Sequence, residues 1–413
     1  MWKYTQIMIK IANNYYKKYP KKWIILDFDG NQYPFWNTIK QKPKIFFKNS
    51  ENTLKKIFTK WSLALGETYV DKLWDGSHID VPYFLEFMLS IKEDKDLIKN
   101  INLFDKLRIK FTLSCSGKQD KGSSNECNIN SHYSLEFVLN NNNAANDFFS
   151  LFLTKKLPVY SCWIWEKDTK DLYEAQLVKF KLYAKLLKLD KNKKLIDLGC
   201  GRGAQSIWYA KEYWTKVTLI TLSKAQEKYI KNRIKNEKLE DKVDVKLMDM
   251  MNIDKLNEKY DAIMSIEAIE HIKDFDTLFK KSSKILSKNG KALFQTAFNH
   301  IHHDFDTWNG KYMWPGIKIT SRKRLLDSCA KNFETISFTQ YKKLSYSKTF
   351  MCWLQNFIDN EKKLLSILDK ANSKEDNEIF IRKFKYYLQC CVAVYKVYMD
   401  VGFALCDNEK VKL

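Results

Sequence analysis

No CxxC pair occurs in the chain, and its nine cysteines are odd in number and scattered. Neither a disulfide framework nor a zinc site is therefore expected, and a reducing compartment fits best. A run of about 18 uncharged apolar residues is also missing, which argues against a spanning helix. The opening MWKYTQIMIKIANNYYKKYPKK lacks a continuous apolar core and a small-residue cleavage site. It does not read as a secretory signal, so the expected location is cytoplasmic. Arginine is scarce, supplying six of the 71 basic residues. Phosphate recognition usually recruits arginine forks. The net charge of +22 thus argues for peripheral attraction to an anionic membrane surface, and no nucleic-acid partner is expected. Internal repeats are absent.

What is present centres on Leu195-Ile196-Asp197-Leu198-Gly199-Cys200-Gly201-Arg202-Gly203. An apolar strand runs into a glycine turn before a helical pattern, so that backbone can approach a nucleotide-like ligand. Asp197 supplies a carboxylate at the strand end. Further strands are expected at Val217–Leu222, Val243–Leu247 and Tyr260–Ile266, with helical patterns between them. That alternation predicts an α/β fold with a parallel sheet and its ligand at the carboxyl ends of the strands. A nicotinamide enzyme would carry an acid about 20 residues after its glycines. Here the second strand ends in Thr221-Leu222-Ser223, with Gln226 beyond, which favours S-adenosylmethionine over a dinucleotide.

Composition divides the chain. Ser116 to Asn130 is polar and rich in glycine, serine and asparagine, and reads as a linker closing an amino-terminal unit over 1–130. Asn140 to Asn143 is a second breaker, and a catalytic domain is expected over 145–413. Within it, Asn372 to Asn377 reads as a solvated loop before a last helix, Glu378 to Met399. His300, His302 and His303 lie close to Asp304 and Asp306, but without regular ligand spacing, so no metal is expected.

Several separated blocks occur in a consistent order: Gly66-Glu67-Thr68-Tyr69-Val70-Asp71 with Trp74, Asn146-Asp147-Phe148-Phe149, Tyr160-Ser161-Cys162, Glu174-Ala175-Gln176 with Lys179, Ser265 to His271 (SIEAIEH), Tyr312 to Gly316 (YMWPG), and Tyr346, Thr349 and Trp353. Together they resemble the cyclopropane-fatty-acyl-phospholipid synthase and mycolic acid cyclopropane synthase family of S-adenosylmethionine enzymes. The resemblance implies a Rossmann-like class I methyltransferase with a mainly parallel seven-stranded sheet, plus a smaller amino-terminal α+β, lipid-interacting domain. It implies an S-adenosylmethionine-dependent C-methyltransferase that forms a cyclopropane ring on the double bond of an unsaturated, anionic membrane phospholipid, with a homodimer as the expected assembly. Bicarbonate is the implied base, held by Cys162, Glu270 and Tyr346, with His271 beside Glu270. The implied cofactor contacts are Tyr160 and Ser161 at the methionine end, Asp197, Gly199 and Gly201 below it, Thr221, Leu222 and Gln226 toward the ribose, and Asp249 at the adenine. Phe148, Phe149, Trp163, Trp165, Phe298, Trp314 and Trp353 are candidate walls for an acyl chain.

Departures accompany the resemblance. Lys72 replaces a glycine, Arg202 a tryptophan, Asn141-Asn142-Asn143 an HYD triplet, and Gln295 a histidine. Glutamine can donate a hydrogen bond but does not titrate near neutrality, which makes methyl transfer more secure than ring closure. Glu267-Ala268-Ile269-Glu270-His271 also resembles the ExxEH block of coclaurine-type N-methyltransferases, in which Glu267 and His271 would position and deprotonate an amine. A non-catalytic, ligand-sensing protein of the same fold is a third expectation.

Overall fold

The computed structural model describes residues 3–34, 42–99, 101–102, 142–154, 156–299, 307–314, 319–368 and 374–408. The expected linker at Ser116–Asn130 and the histidines at 300–303 lie outside them. Strands β1 (Ile25–Phe28), β2 (Asn31–Tyr33), β3 (Lys44–Phe47) and β4 (Trp74–Gly76) form a small mixed sheet in the order β2-β1-β3-β4. Helices Lys3–Lys18, Ser50–Val70 and Asp80–Glu93 belong to this amino-terminal unit. The first of them buries Tyr4, Ile7, Met8, Ile11, Ala12 and Tyr15, spaced three and four apart as one helical face requires.

The second sheet has seven strands among the described residues: β5 (Lys194–Leu198), β6 (Lys216–Thr221), β7 (Val243–Leu247), β8 (Tyr260–Ile266), β9 (Leu286–Asn299), β10 (Thr335–Gln340) and β11 (Met399–Asp407). Their order is β10-β11-β9-β8-β5-β6-β7, and every pairing is parallel except the two that β11 makes. Leu195, Ile196 and Leu198 of β5 are buried, as expected of a parallel strand covered on both faces. The chain leaves β5 toward β6 on one side and returns to β8 on the other. A crevice therefore opens beyond the carboxyl ends of β5 and β8, where such sheets bind ligands.

Two sequence expectations need correction at the carboxyl terminus. The last helix runs over Lys374–Val397, so Lys374 to Asn377 is helical rather than a solvated loop, and Asn377 is buried. Beyond it, Met399–Asp407 forms β11, paired with both β9 and β10. Short apolar runs such as VGFALC continue a helix or start a strand equally well by pattern.

The GETYVD block is the joint between the two units. A Cβ placed on Gly66 would lie 2.2 Å from the ring of Trp308, so only glycine lets that indole pack down. Thr68 Oγ1 accepts from Trp74 Nε1 at 3.0 Å, and the carbonyl of Tyr69 accepts from Arg382 Nε of the last helix at 2.6 Å. Lys72, where the resemblance led one to expect glycine, has φ 59°, so the left-handed turn persists with a side chain that tolerates it less well. Gly66→Ala is expected to cost about 1–3 kcal/mol of stability through overpacking. A thermal melt would register this, and an unchanged midpoint would show that Trp308 can move aside.

Candidate active site

The turn after β5 forms the floor. The amides of Gly199 and Cys200 both donate to the carbonyl of Ile220 at 3.0 Å, tying the turn to β6. Gly199 has φ +79°, and a Cβ there would meet that of Ala268 at 2.4 Å. Gly201 has φ +55° and open space on its Cβ side. Above this floor lies a cavity of about 340 Å³, within the usual range for small-molecule sites.

All nine expected cofactor contacts line this one cavity: Tyr160, Ser161, Asp197, Gly199, Gly201, Thr221, Leu222, Gln226 and Asp249. Thr221 Oγ1 donates to Gln226 Oε1 at 2.7 Å, and Ser223 caps the helix Lys224–Glu237 through the Gln226 amide. Asp249 also caps a local turn, accepting from the Met251 amide at 2.8 Å, so it serves structure as well as the wall. Asp197 is buried and accepts from Ser206 Oγ at 2.6 Å. Burial pushes its carboxyl up to about 7. An open glycine turn beside buried acid suits a nucleoside carrying a cationic chain.

Glu267 organises the opposite wall. It follows β8 with φ 50°, an uncommon conformation for a residue with a Cβ. Its amide donates to the carbonyl of Gln295 at 2.9 Å. The carboxylate Oε1 accepts from the Cys162 amide at 2.8 Å and from Gln295 Nε2 at 2.5 Å, while Oε2 accepts from the Tyr346 hydroxyl. Behind it, Gln295 Oε1 accepts from the hydroxyls of Tyr183 at 2.7 Å and Tyr341 at 2.9 Å. Buried Lys179 donates to Ser161 Oγ at 2.7 Å and to the Cys162 carbonyl at 2.9 Å. Burial lowers this ammonium to about 8, against the pull of Glu267. Burial raises the Glu267 carboxyl, whereas Tyr346, Lys179 and the Cys162 amide draw it down.

Of the expected group Cys162, Glu270 and Tyr346, the structure brings two together around another acid. Cys162 and Tyr346 both meet Glu267. Three residues on, in the turn Ile269–His271, Glu270 faces β9, where Oε1 accepts from Thr296 Oγ1 at 2.6 Å and the Ala297 amide at 3.0 Å. Its Oε2 is buried with no hydrogen-bond partner among the described residues. Burial and the charge of Glu267 push its carboxyl up to about 7. Cys162 acts through its amide, and burial pushes its thiol well up. His271 lines the cavity, and burial lowers its imidazole.

The aromatic walls divide. Phe149 and Trp314 line the cavity, with Tyr160, whereas Phe148, Trp163, Trp165, Phe298 and Trp353 are buried in the core. Phe380, Lys383 and Phe384 of the last helix complete the wall. Their spacing of three and four is a helical face, which offered a signal in the sequence but no indication of what it faces. Arg202 donates from Nε to Asn146 Oδ1 at 2.9 Å and lies 4.2 Å over the Phe149 ring, so it braces the mouth by stacking. On the outer side Tyr312 donates to Glu67 Oε1 at 2.8 Å. Through this bond the amino-terminal unit holds a wall of the cavity. Among the described residues no group of three or more His, Cys, Asp and Glu side chains could hold a metal, and no helix is long and apolar enough to cross a membrane.

Comparison with known proteins gives a consistent picture. Residues 123–402 match the family described as mycolic acid cyclopropane synthetase. The cyclopropane-fatty-acyl-phospholipid synthase of Escherichia coli (strain K12) is 26% identical over 353 residues, covering 83% of this chain and 82% of that relative. Among solved structures, a mycolic acid cyclopropane synthase complexed with S-adenosylhomocysteine and CTAB superposes with a TM-score of 0.58 at 25% identity, covering 66% of this chain and 98% of that one. Coclaurine N-methyltransferase bound to N-methylheliamine and S-adenosylhomocysteine gives a TM-score of 0.62 at 19% identity, covering 84% of this chain and 98% of that one, a likeness of fold.

Proposed function

The chain belongs to the mycolic acid cyclopropane synthetase family and is thus an S-adenosylmethionine-dependent methyltransferase, and from that premise we propose that it adds a methylene across the double bond of unsaturated phospholipid acyl chains. The observation that carries this reading is the Glu267 carboxylate, set in the wall of a cavity that Phe149, Tyr160, Trp314, Phe380 and Phe384 also line. An apolar chain is received on those rings, with the Glu267 carboxylate on the same wall. Aromatic faces can also steady a passing cation.

S-adenosylmethionine supplies an electrophilic methyl on sulfonium sulfur. The Gly199–Gly203 turn, Asp197 and the pair Thr221 and Gln226 are the residues that would hold it. Closing a ring on the methylated alkene needs one further event, the removal of a proton from the added carbon so that its C–H electron pair bonds to the neighbouring cationic carbon. That event needs a fixed base within reach. Asp197 and Asp249 also line the cavity, but Glu267 is the acid that three donors from separate parts of the chain hold in place.

Incubation with labelled cofactor and unsaturated phospholipid vesicles, followed by lipid mass spectrometry, tests the reading. A gain of one methylene mass with loss of the double bond is expected, and acyl chains of unaltered mass would overturn it. His271 and Glu267 both line the cavity, which favours a second reading, methylation of a small amine; this would appear as methyl transfer to amines with no lipid product.

Cofactor binding should be linked to protons. With the Asp197 carboxyl raised from 3.8 to about 7, the folded, empty protein holds a proton that the unfolded chain releases. That contribution to stability is full below about 4 and is lost as pH rises through about 7. The melting midpoint of the empty protein is thus expected to fall over that window, with Asp197→Asn flattening the decline. A bound cation favours the ionised acid, so affinity for S-adenosylmethionine should rise with pH across the same range, as calorimetry would show.

Membrane attraction belongs to the same proposal. Lys383 sits at the cavity wall on a chain of net charge +22, and each lysine near an anionic surface contributes about 1 kcal/mol. Vesicle binding should rise with anionic lipid content and weaken with salt. Salt-insensitive binding to neutral vesicles would contradict it.

A further inference from the structure

The bicarbonate that the family resemblance implied does not fit this site, and we propose that the carboxylate of Glu267 stands in its place as a built-in base, making the enzyme independent of any free anion. The inference rests on the lipid reading above for its chemistry. It rests for its geometry on the donors around Glu267.

Three donors converge on that carboxylate: the Cys162 amide, the Gln295 amide nitrogen and the Tyr346 hydroxyl. Cys162 and Tyr346 are two of the three residues expected to hold a free anion. Both are occupied by a side chain of the protein itself. Gln295 turns its nitrogen to Glu267 because an amide oxygen there would face a carboxylate, and its oxygen is left for the mutually bonded hydroxyls of Tyr183 and Tyr341. The third expected ligand, Glu270, is an acid turned toward β9 and offers an anion only repulsion unless it carries a proton.

Charge leads to the same conclusion. Lys179 is the buried cation that bears on this cluster, and it acts on Glu267. A second anion beside Glu267 would be left uncompensated in a poorly solvated place, where like charges disfavour one another. A carboxylate offers about four lone-pair positions. Three donors leave one free for the proton given up by the added carbon, while its C–H electron pair forms the last ring bond.

The left-handed φ of 50° at Glu267 is one that glycine adopts at no steric cost. Glu267→Gly therefore removes the carboxylate without straining the backbone, and leaves three donors around an empty space. The experiment titrates isotopically labelled bicarbonate against wild type and E267G by NMR, with S-adenosylhomocysteine present. In parallel, methyl transfer to vesicles of unsaturated phosphatidylglycerol is followed in carbon-dioxide-free buffer with and without added bicarbonate. Wild type is expected to show no saturable bicarbonate binding and the same rate in both buffers. E267G is expected to bind bicarbonate. Its rate, lowered about 10²–10⁴-fold without the base, should recover at least tenfold when bicarbonate is added. Saturable binding to wild type, a wild-type rate that collapses without bicarbonate, or failure of E267G to bind the anion would each overturn the inference. Absence of lipid methylation under every condition would instead defeat the lipid reading, with the NMR titration still deciding the anion question.

Discussion

Glu267→Gln is expected to lower kcat by about 10³-fold, within the range lost when a positioned base is removed, while affinity for S-adenosylmethionine changes little. The amide is nearly the same size, so packing survives. It cannot accept the proton, and its nitrogen would face at least one of the three donors that now bond the carboxylate: the Cys162 amide, Gln295 or the Tyr346 hydroxyl. A fall in kcat with KM preserved marks an interaction used only in the transition state. Glu270→Gln should cost no more than about tenfold, a loss of about 1.4 kcal/mol, because Glu270 lies outside the cavity wall and one of its oxygens has no partner. Burial raises the Glu267 carboxyl, so the acidic limb of the pH–rate profile should lie above the usual carboxylate range, with activity rising as pH increases. That limb should vanish in the Gln variant. If Glu270→Gln proves the more damaging change, the catalytic acid is the one that faces β9, and the geometry around Glu267 is structural.

The second large effect separates two glycines of the same turn, Gly199 and Gly201, whose surroundings differ. Gly201→Ala should weaken S-adenosylmethionine binding by about 100-fold, about 2.7 kcal/mol, since its Cβ would project into open space on the cavity floor. Its stability cost should be small, about 1–2 kcal/mol for the left-handed φ alone. Gly199→Ala meets the Cβ of Ala268 at 2.4 Å and would push the turn after β5 away from the turn after β8. There the left-handed penalty and overpacking add to about 2–5 kcal/mol of lost stability, with catalysis disturbed through the neighbouring Glu267. Calorimetry and thermal melts on the two variants read these effects separately. Normal cofactor affinity in Gly201→Ala would show that the cofactor does not lie over that position.

Much of this was legible locally. The strands at Val243–Leu247 and Tyr260–Ile266 were expected with the bounds observed, because apolar runs bounded by turn residues are a local signal. The same holds for the glycine turn at 199–203. The aromatic walls were legible only in small part: Phe149 and Trp314 reach the cavity, whereas Phe148, Trp163, Trp165, Phe298 and Trp353 are core. An aromatic side chain serves either purpose, and no local pattern distinguishes them. Phe380, Lys383 and Phe384 went unassigned because nothing near residue 380 in the chain says that this helix folds back over the turn at 199. The replacement of a histidine by Gln295 read as a weakening of ring closure. In the fold it is the donor held by Tyr183 and Tyr341 that completes the bonding of Glu267.

What the sequence determined by itself is the order of strand, glycine turn and helix, the family, and hence the class of cofactor, since these depend on residues adjacent in the chain. Which of two glutamates becomes the working acid was decided only by tertiary structure. Cys162 and Tyr346 lie 105 and 79 residues from Glu267, and only the folded sheet brings their donors to it. The left-handed backbone at Glu267 then turns its carboxylate toward them, while the next turn carries Glu270 away.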